Sequence, residues 1–406
     1  MPLLPLDDAR AYVFDACRPL APVVLGLSDA LGRVAAETVT ATEAVPSFDN
    51  SAMDGFAVRA ADTEGPPVIL EVVGTLAAGD APSLVVKPGQ AVRIMTGAAL
   101  PAGADAVVMV ERSAPLDSGR AVEIQIRVAP GTAWRRAGDD ISPGTVVVEA
   151  GTVLSPGYLG VLASLSVDEL SVFPPARVGV LSTGDELVSG PAPLRPGQIR
   201  DSNRPTLTAL VRQCGCEAVD LGTVADDEVA ITRAFAEATA QCDAVVTSGG
   251  VSMGDFDLVK IVLEHMGDMR WMQLAIKPAK PFAFGVVSAT PVFGLPGNPV
   301  SSMVSFELLA RPALRKMMGF PAHQWVRASV TAVADEALER RPDGKVHFVR
   351  AVATMGEDGR YRVVSAGGQG SHQLSAMAGA NALAVLDDGD GVAAGAAVPV
   401  MLLDGS

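Results

Sequence analysis

The chain of 406 residues is poor in cysteine, which argues against a disulfide-stapled fold. Its four cysteines are Cys17, Cys214, Cys216 and Cys242. The pair at 214 and 216 forms a C-x-C, without the second pair or the histidine that a structural zinc site uses. We therefore interpret all four as reduced, structural thiols, which is typical of a reducing compartment.

Long hydrophobic runs and basic runs are also missing. No apolar run reaches the roughly 18 residues of a membrane span. The first residues, MPLLPLDDAR, lack the basic region of a signal peptide. A net charge of -15 argues against nucleic acid or an anionic membrane as the main partner. We expect a cytoplasmic protein that binds anions only locally, through arginines, lysines, helix N-termini or a bridging cation.

The residues that are abundant describe a well-buried globular protein. Hydrophobic residues make up 49% of the chain and charged residues 19%, with 41 glycines and 29 prolines. A chain of this length exceeds one core and predicts two to four domains.

Apolar periodicity changes along the chain. Residues 6–44 and 147–173 have helical spacing, and the two segments could pack together. Between them, residues 46–146 contain short strand-like runs separated by Gly/Pro turns. Residues 176–320 alternate strand and helix, which predicts a doubly wound parallel α/β sheet. Residues 326–406 are β-rich and predict a small barrel or sandwich.

Three polar loops follow predicted strands of the α/β segment. They are STGDEL (182–187), TSGGVSMGDFD (247–257) and GLPGNPVSS (294–302). Ligands of open α/β sheets bind beyond the carboxyl ends of the strands, and glycines let backbone N–H groups approach an oxyanion. Each loop alone is more often a simple turn, and Asp255 alone could be a helix N-cap. Together the three loops predict a phosphate or nucleotide site.

Carboxylates cluster at the same predicted sheet edge. They are Asp185, Glu186, Asp226 and Asp257. Two like charges 4 Å apart repel by roughly 4 kcal/mol at an effective dielectric constant of about 20. Carboxylates beside a bound phosphate therefore require a cation, and Mg²⁺ fits because it uses carboxylates, waters and phosphate oxygens. The alternatives remain open: solvated surface acids, and for Asp226 a favourable helix dipole.

The inserted β segment contains a similar mixture of charges. In FDNSAMDGFAVR, Asp54 lies at a glycine turn just before a strand, and Thr96 follows a strand in RIMTGA. Arg135 and Arg136 precede Asp139 and Asp140 in WRRAGDDI. Adjacent arginines bind phosphate well but are also common on surfaces, so both interpretations stay open.

Seven motifs in this order resemble the molybdopterin molybdenumtransferases, proteins similar to the E domain of gephyrin. They are FDNSAMDGFAVR, RIMTGA, RRAGDDI, STGDEL, SGGVSMGDFD, AIKPAKPFAFG and GLPGNPVSS, and the resemblance runs from about residue 5 to the C-terminus. It implies an elongated helical domain (1–45 and 147–175), an inserted β domain (46–146), an α/β domain similar to molybdopterin adenylyltransferase (176–325) and a C-terminal β-barrel (326–406).

The resemblance also implies a reaction and partners. Adenylylated molybdopterin and molybdate would give molybdenum cofactor and AMP, with Mg²⁺. A homodimer would form the active site between the α/β domain of one subunit and the inserted domain of the other. Molybdopterin adenylyltransferase and molybdoenzyme maturation proteins would be further partners.

The resemblance assigns roles by position. Catalytic positions are Asp54, Glu186, Asp226, Asp257, Lys277 and Lys280, with Glu186 and Asp257 as the Mg²⁺ ligands. Substrate-binding positions are Thr96, Arg135, Asp140, Thr183, Ser248, Gly249, Gly250, Pro296, Asn298 and Ser371.

This chain departs from the family pattern at three positions. Gln273 stands where a basic residue is frequent, and Arg270 is a candidate substitute. Ala279 replaces a glycine in KPAKP, and Phe56 replaces a frequent tyrosine. Two other hypotheses are a non-catalytic carrier or scaffold of the family, and an adenylyltransferase or pyrophosphatase. The clustered carboxylates argue against the first, and the extra domains against the second.

Overall fold

A computed structural model describes residues 3–250 and 258–403. The N-terminal segment contains one helix and three short strands: α1 (Leu6–Ala16), β1 (Val23–Gly26), β2 (Val34–Ala35) and β3 (Val39–Thr40). The helical prediction for residues 17–44 is therefore wrong. LSDALGRVAAETV forms one 3₁₀ turn (Leu27–Asp29) and then strands, because pairing with a distant segment outweighs local periodicity.

The inserted segment, residues 46–146, is built from strands, as its alternating runs predict. They are β4 (Asn50–Ser51), β5 (Gly55–Val58), β6 (Val68–Leu76), β7 (Gln90–Ile94), β8 (Ala106–Met109), β9 (Ser113–Leu116), β10 (Ala121–Ile124) and β11 (Trp134–Arg135). Six of them form one sheet in the order β8-β5-β7-β6-β10-β9, and β11 pairs with β4.

The chain then returns to the N-terminal segment. The returning elements are β12 (Val146–Val148), α2 (Pro156–Ser164) and β13 (Glu169–Phe173). β13 lies between β1 and β2, and β12 pairs with β3. The two segments do pack together, but through strands rather than helices. α1 instead joins the α/β core, where Ala9 and Val13 are fully buried and Tyr12 meets Phe284 edge to face at 5.9 Å between ring centroids.

The α/β domain confirms the doubly wound prediction. Its elements are β14 (Arg177–Thr183), β15 (Leu187–Val188), β16 (Ile199–Arg200), α3 (Asn203–Gln213), β17 (Glu217–Val224), α4 (Glu228–Gln241), β18 (Ala244–Ser248), α5 (Leu258–Met266), β19 (Gly267–Gln273), β20 (Ile276–Lys277), β21 (Pro281–Val287), β22 (Thr290–Leu295), α6 (Pro299–Ser305) and α7 (Arg311–Met317). The sheet order is β17-β14-β18-β22-β21-β19, and its first four strands are parallel.

The C-terminal domain is a closed five-stranded barrel. Its elements are β23 (Ser329–Ala334), β24 (Leu338–Glu339), β25 (Val346–Met355), β26 (Tyr361–Ser365), α8 (Leu374–Ala378), β27 (Ala382–Leu386), β28 (Gly391–Val392) and β29 (Ala397–Leu402). The order β25-β26-β23-β29-β27 is closed by pairing of β27 with β25. β20 of the α/β domain runs parallel to β25 and places Lys277 opposite His347.

No helix in the described ranges is long and apolar enough to cross a bilayer.

A close approach of β5 and β8 explains the glycine that follows Asp54. A Cβ atom on Gly55 would lie 2.0 Å from the carbonyl oxygen of Val108. Only glycine allows the two backbones to pair here, so the turn that presents Asp54 depends on it.

We expect Gly55→Ala to destabilise the protein by about 1–3 kcal/mol, because neighbouring backbone must shift to admit the methyl group. The matched control is Gly160→Ala in α2, where an added Cβ meets no atom within 4 Å. That change should be neutral or stabilising by about 0.5–1 kcal/mol. Thermal denaturation of the two variants checks this; equal midpoints would contradict the close approach.

Candidate active site

The three polar loops of the α/β domain meet at one sheet edge. β14, β18 and β22 lie side by side with Ser182 opposite Ser248 and Ser248 opposite Leu295. A Cβ atom on Gly249 would lie 3.0 Å from the carbonyl oxygen of Thr183, and one on Gly297 would lie 3.9 Å from the Cα of Gly249. The loops therefore contact each other in the order in which their strands are arranged.

A small cavity of about 100 Å³ lies where these loops meet. It brings together four of the residues predicted from the sequence: Thr183, Glu186, Ser248 and Gly249. Gly250 has a φ of +67° and packs directly on Val259, which leaves no room for a side chain.

Asn203 is a cavity residue that the sequence argument missed. Its Nδ2 donates to the Ser248 Oγ at 2.7 Å and to the Gly297 carbonyl at 2.6 Å, so one amide ties two loops together. Just before it, the Asp201 carboxylate accepts hydrogen bonds from the Ser182 hydroxyl and from Arg204. The signal was present as the polar run DSN directly ahead of a helical pattern.

The carboxylates at this edge are exposed and partly paired through the backbone. The N–H of Asp226 donates to Asp185 Oδ1 at 3.1 Å, and the N–H of Asp185 donates to Asp226 Oδ2 at 3.4 Å. Asp227, rather than Asp226, caps α4 by accepting from the N–H of Ala230. A capping role therefore does not explain Asp226.

The predicted metal ligands are only partly described. The Glu186 carboxylate folds back over Gly184, within 2.5 Å of where a Cβ on that glycine would lie. Asp257, its predicted partner, lies outside the described residues. Within 3–250 and 258–403, no three His, Cys, Asp or Glu side chains converge on one point.

A second cavity, of about 300 Å³, lies where the KPAKP segment meets the barrel. Lys277 lines it together with Arg340, Arg341, His347 and Arg350. Lys280 is exposed three residues further on, and its carbonyl accepts the N–H of Leu274. Glu339 and Asp343 also line the cavity, and Asp343 pairs with Arg340 at 3.0 Å, so its cationic side chains outnumber its acidic ones in a chain of net charge -15.

Arg350 in this cavity is the second residue that the sequence argument missed. It is fully buried, and its Nη2 donates to the carbonyls of Gly368 and Gly370 at 2.6 and 3.2 Å. Its Nε and Nη1 have no hydrogen-bond partner among the described residues. Burial lowers the pKa of Arg350. The sequence offered a weak signal, one arginine within the apolar strand VHFVRAVATM.

One loop of the barrel connects the two cavities. The carbonyl of Ser371 accepts the N–H of Val300 in the first turn of α6 at 3.1 Å, and the preceding Gly370 contacts Arg350. Pro296 is a buried residue of the third loop. Asn298, at the N-cap position of α6, is exposed, and its side chain makes no capping hydrogen bond. Ser371 and Asn298 therefore lie on the path from one cavity to the other.

Asp54 and Thr96 form one exposed acidic group on the inserted domain. Asp54 Oδ1 accepts the backbone N–H of Thr96 at 2.7 Å and its hydroxyl at 2.8 Å. These two hydrogen bonds, with a smaller contribution from Arg93, hold the pKa of Asp54 below its usual value. The carboxylate is therefore ionised and fixed in direction.

Arg135 and Asp140 are exposed on the same domain. Arg135 lies on β11 opposite Asn50, and the N–H of Asp140 donates to the carbonyl of Val45. Arg136 stacks on the ring of Trp134, 4.9 Å from its centroid. Of the two adjacent arginines, Arg136 is therefore held against its own domain.

Comparison with known proteins covers nearly the whole chain. Residues 4–166 match the MoeA N-terminal region (domain I and II), residues 179–316 a probable molybdopterin binding domain, and residues 331–403 the MoeA C-terminal region (domain IV). A molybdopterin molybdenumtransferase of Haemophilus influenzae is 41% identical over 401 residues, 98% of each chain. Molybdopterin molybdenumtransferase 2 of Mycobacterium tuberculosis is 40% identical over 93% of this chain and 94% of its own.

The chain belongs to the molybdopterin molybdenumtransferase family. A solved structure of a molybdopterin biosynthesis MoeA protein from Pyrococcus horikoshii agrees in fold, with a TM-score of 0.82, 30% identity and full coverage of both chains. The resemblance of the seven motifs is thereby confirmed.

The three departures from the family pattern have structural outcomes. Ala279 has a φ of +74°, so an alanine adopts the left-handed conformation that glycine favours, at about 1–2 kcal/mol. Arg270 stacks on the ring of Tyr12, 4.8 Å from its centroid, and so packs against α1. Phe56 is buried in the core of the inserted domain, where the missing hydroxyl is of no consequence.

We expect Thr96→Val to raise the pKa of Asp54 part of the way toward its usual value, because the hydroxyl bond is lost and the N–H bond stays. The folded pKa is lowered, so the stabilisation from this carboxylate is present above its unfolded pKa and is lost as pH falls through the folded value. Thr96→Val should bring the folded pKa of Asp54 closer to its unfolded pKa, and so shorten the acidic pH range over which this stabilisation is lost. Carboxyl ¹³C NMR titration measures the shift.

The control for this titration is Thr132→Val, whose hydroxyl donates to the carbonyl of Ala129 rather than to a carboxylate. An Asp54 pKa that moves equally in both variants would contradict the assignment.

Proposed function

We propose that this protein is a molybdopterin molybdenumtransferase, which inserts molybdate into adenylylated molybdopterin and releases AMP. Its relatives carry that name over nearly the full length of both chains. The observation that carries the proposal is a phosphate-type loop edge joined to a cationic cavity. Ser248 and Gly249 line the cavity at the loop edge. Arg350 lies in the cationic cavity, where its Nε and Nη1 have no hydrogen-bond partner among the described residues.

The cationic cavity suits molybdate, the anionic substrate. Molybdate presents four oxygens and two negative charges, and the Nε and Nη1 of Arg350 are donors without a partner among the described residues. A hydrogen bond from a guanidinium to an oxyanion is charge-assisted, and Lys277, which lines the same cavity, adds a point charge. An unpaired buried cation is unfavourable, so binding the anion stabilises Arg350 as well.

The loop edge suits the pyrophosphate of the adenylylated pterin. Gly249 and Gly250 let the backbone of the second loop approach phosphate oxygens without steric hindrance from side chains, while the N–H of Gly249 is bonded to the carbonyl of Leu295 at 3.2 Å. Asn203 holds the second and third loops at a fixed separation through its two hydrogen bonds. Thr183 lines the same cavity, and the exposed Asn298 follows Gly297, which also lines it.

Mg²⁺ would be held by Glu186 and Asp257, with Asp185 and Asp226 nearby. The described part of the donor set fits, because Asp185, Glu186 and Asp226 are exposed and carboxylate oxygens are the protein ligands this ion prefers. When bound, Mg²⁺ neutralises charge on the phosphate oxygens.

No protein nucleophile is required for the chemistry. An oxygen of molybdate or water attacks the adenylate phosphorus, one P–O bond forms, and the bond to the phosphate of the pterin breaks. AMP leaves, and the pterin keeps its own phosphate. If molybdate attacks, the dithiolene sulfurs bind molybdenum as its bond to the bridging oxygen breaks, and that oxygen leaves with AMP. If water attacks, the sulfurs displace oxygen from free molybdate, which leaves as water with the thiol protons. The chain contributes orientation and charge, which is most of what phosphoryl transfer asks of a protein.

The exposed face of the inserted domain supports a homodimer with a shared site. Asp54 is directed by Thr96 and follows Met53, and Phe48 precedes it by six residues in the inserted domain. Both apolar residues are about half exposed. Exposed apolar residues beside an oriented carboxylate are typical of a surface that meets a partner. We propose that this face completes the site of a second chain.

The test of the function is AMP release from adenylylated molybdopterin. Release should require both molybdate and Mg²⁺. Arg350→Met should raise the molybdate KM by about tenfold or more, since a charge-assisted hydrogen bond contributes about 1.5–3 kcal/mol. The KM for the pterin should not change.

Arg362→Met is the control for this assay, because Arg362 lies on the same barrel and pairs at the surface with Asp335 and Asp358. Stoichiometric binding of the pterin without AMP release would instead support the carrier or scaffold hypothesis.

A mixed-dimer experiment tests the shared site. Asp54→Asn and Glu186→Gln should each abolish release as homodimers. After subunit exchange, half of the dimers carry both variants, and each of these has one intact site. Activity should therefore return to about a quarter of the wild-type value. Mass spectrometry verifies the exchange. If activity then does not recover, both residues belong to a site within one chain, or lie outside the site.

A further inference from the structure

A cluster of four arginines lines a third cavity, distant from the candidate active site. The cavity measures about 290 Å³, and its arginines are Arg33, Arg311, Arg315 and Arg327. Gln213 and Cys214, at the C-terminal end of α3, also line it. The other end of α3 begins at Asn203 in the candidate site. Its 11 residues span about 16 Å, so the two cavities lie at opposite edges of the sheet.

The cluster joins three parts of the chain. Arg33 comes from the N-terminal segment, Arg311 and Arg315 lie one turn apart on α7, and Arg327 follows in the connection to the barrel. A tight contact marks the same junction: a Cβ on Gly319 would lie 2.1 Å from the ring of Phe173, which ends β13. A ligand held here would therefore bridge the N-terminal domain and the α/β domain.

The described ion pairs of this cluster run to a single carboxylate. Glu307 accepts from Arg327 at 2.9 and 3.0 Å and lies 3.8 Å from the Nε of Arg311. All three side chains are at most 5% exposed. Arg315 donates to the carbonyl of Gln324 and stacks on Phe320.

Two buried donors of the cluster have no hydrogen-bond partner among the described residues. They are the Nε of Arg311 and the Nε of Arg33. Arg311 is positioned by its Nη1, which donates to the carbonyl of Trp325, while its Nε lies 3.8 Å from Glu307, beyond hydrogen-bond distance. Buried charged donors are rarely left without an acceptor, since desolvation is not repaid. The two unsatisfied donors, in a cavity lined by four arginines, call for an anion.

The electrostatics of the cluster agree with this. Burial lowers the pKa of Arg315 to about 10, with a further lowering by Arg311 that nearby Cys214 opposes. Burial and the charge of Arg327 also lower the pKa of Arg311. Guanidinium groups that disfavour their own charge gain most from a bound counter-ion.

We propose that this cavity is a second anion site, which binds a phosphate-class dianion and fastens the N-terminal domain to the α/β domain. A tetrahedral oxyanion accepts from several guanidinium groups at once, as the convergence of four arginines allows. The ligand is inorganic phosphate or the phosphate group of a nucleotide, and the two sources share this chemistry.

The test measures phosphate binding to the full-length protein by calorimetry and by thermal denaturation. Ionic strength is held constant, and chloride is the reference anion. Phosphate should bind and raise the Tm. Arg33→Gln and Arg315→Gln, both half-buried, should weaken binding by about tenfold or more, because each loses a charge-assisted bond. Arg233→Gln is the control, since Arg233 is a surface residue paired with Glu237 on α4.

Two further arms separate this site from the candidate active site and identify the ligand. In a Lys277→Ala background the phosphate effect should persist and still depend on Arg33 and Arg315. AMP in place of phosphate should compete if the site takes a nucleotide, and should fail to compete if it takes the free ion. The proposal is overturned if phosphate acts no better than chloride, if the folded arginine variants bind as the wild type does, or if Lys277→Ala removes the effect.

Discussion

Burying a guanidinium without a counter-charge is among the most unfavourable arrangements in a protein interior. Arg350 is fully buried, and two of its donors have no partner in the part of the chain that the structure describes, although the chain as a whole carries an excess of acid. The fold positions it by bonding its Nη2 to the carbonyls of Gly368 and Gly370. The same loop reaches α6 through Ser371, so the barrel, the KPAKP segment and the third polar loop are all arranged around this one cation.

Complementary charge on the other side of the proposed site lies in a different domain. The Asp54 carboxylate is held by Thr96 on the inserted domain, away from the cationic cavity of the α/β domain and barrel. Separating the two sets of groups avoids their mutual neutralisation within one chain. In the proposed shared site, a substrate that carries phosphates would meet the cations of one chain and the oriented Asp54 carboxylate of the other.

Local pattern predicted the α/β domain well because its elements are stabilised where they form. Strands such as Arg177–Thr183 and Ala244–Ser248 are continuous apolar runs, and the helix Glu228–Gln241 begins at the capping residue Asp227. Residues 17–44 were mispredicted for the opposite reason. Their strands exist only because Glu169–Phe173, more than a hundred residues later, supplies the hydrogen bonds.

The sequence by itself determined the order of domains, the parallel sheet, the three polar loops and the family motifs, because these depend on short-range periodicity and on residue type. Only the tertiary structure decided that Asn203 ties Ser248 to Gly297, that Arg350 is buried with free donors, and that Arg33 meets Arg311 at a domain junction. A side chain acquires such a role through burial and through partners distant along the chain. Neither property can be predicted from the residues adjacent to it in the sequence.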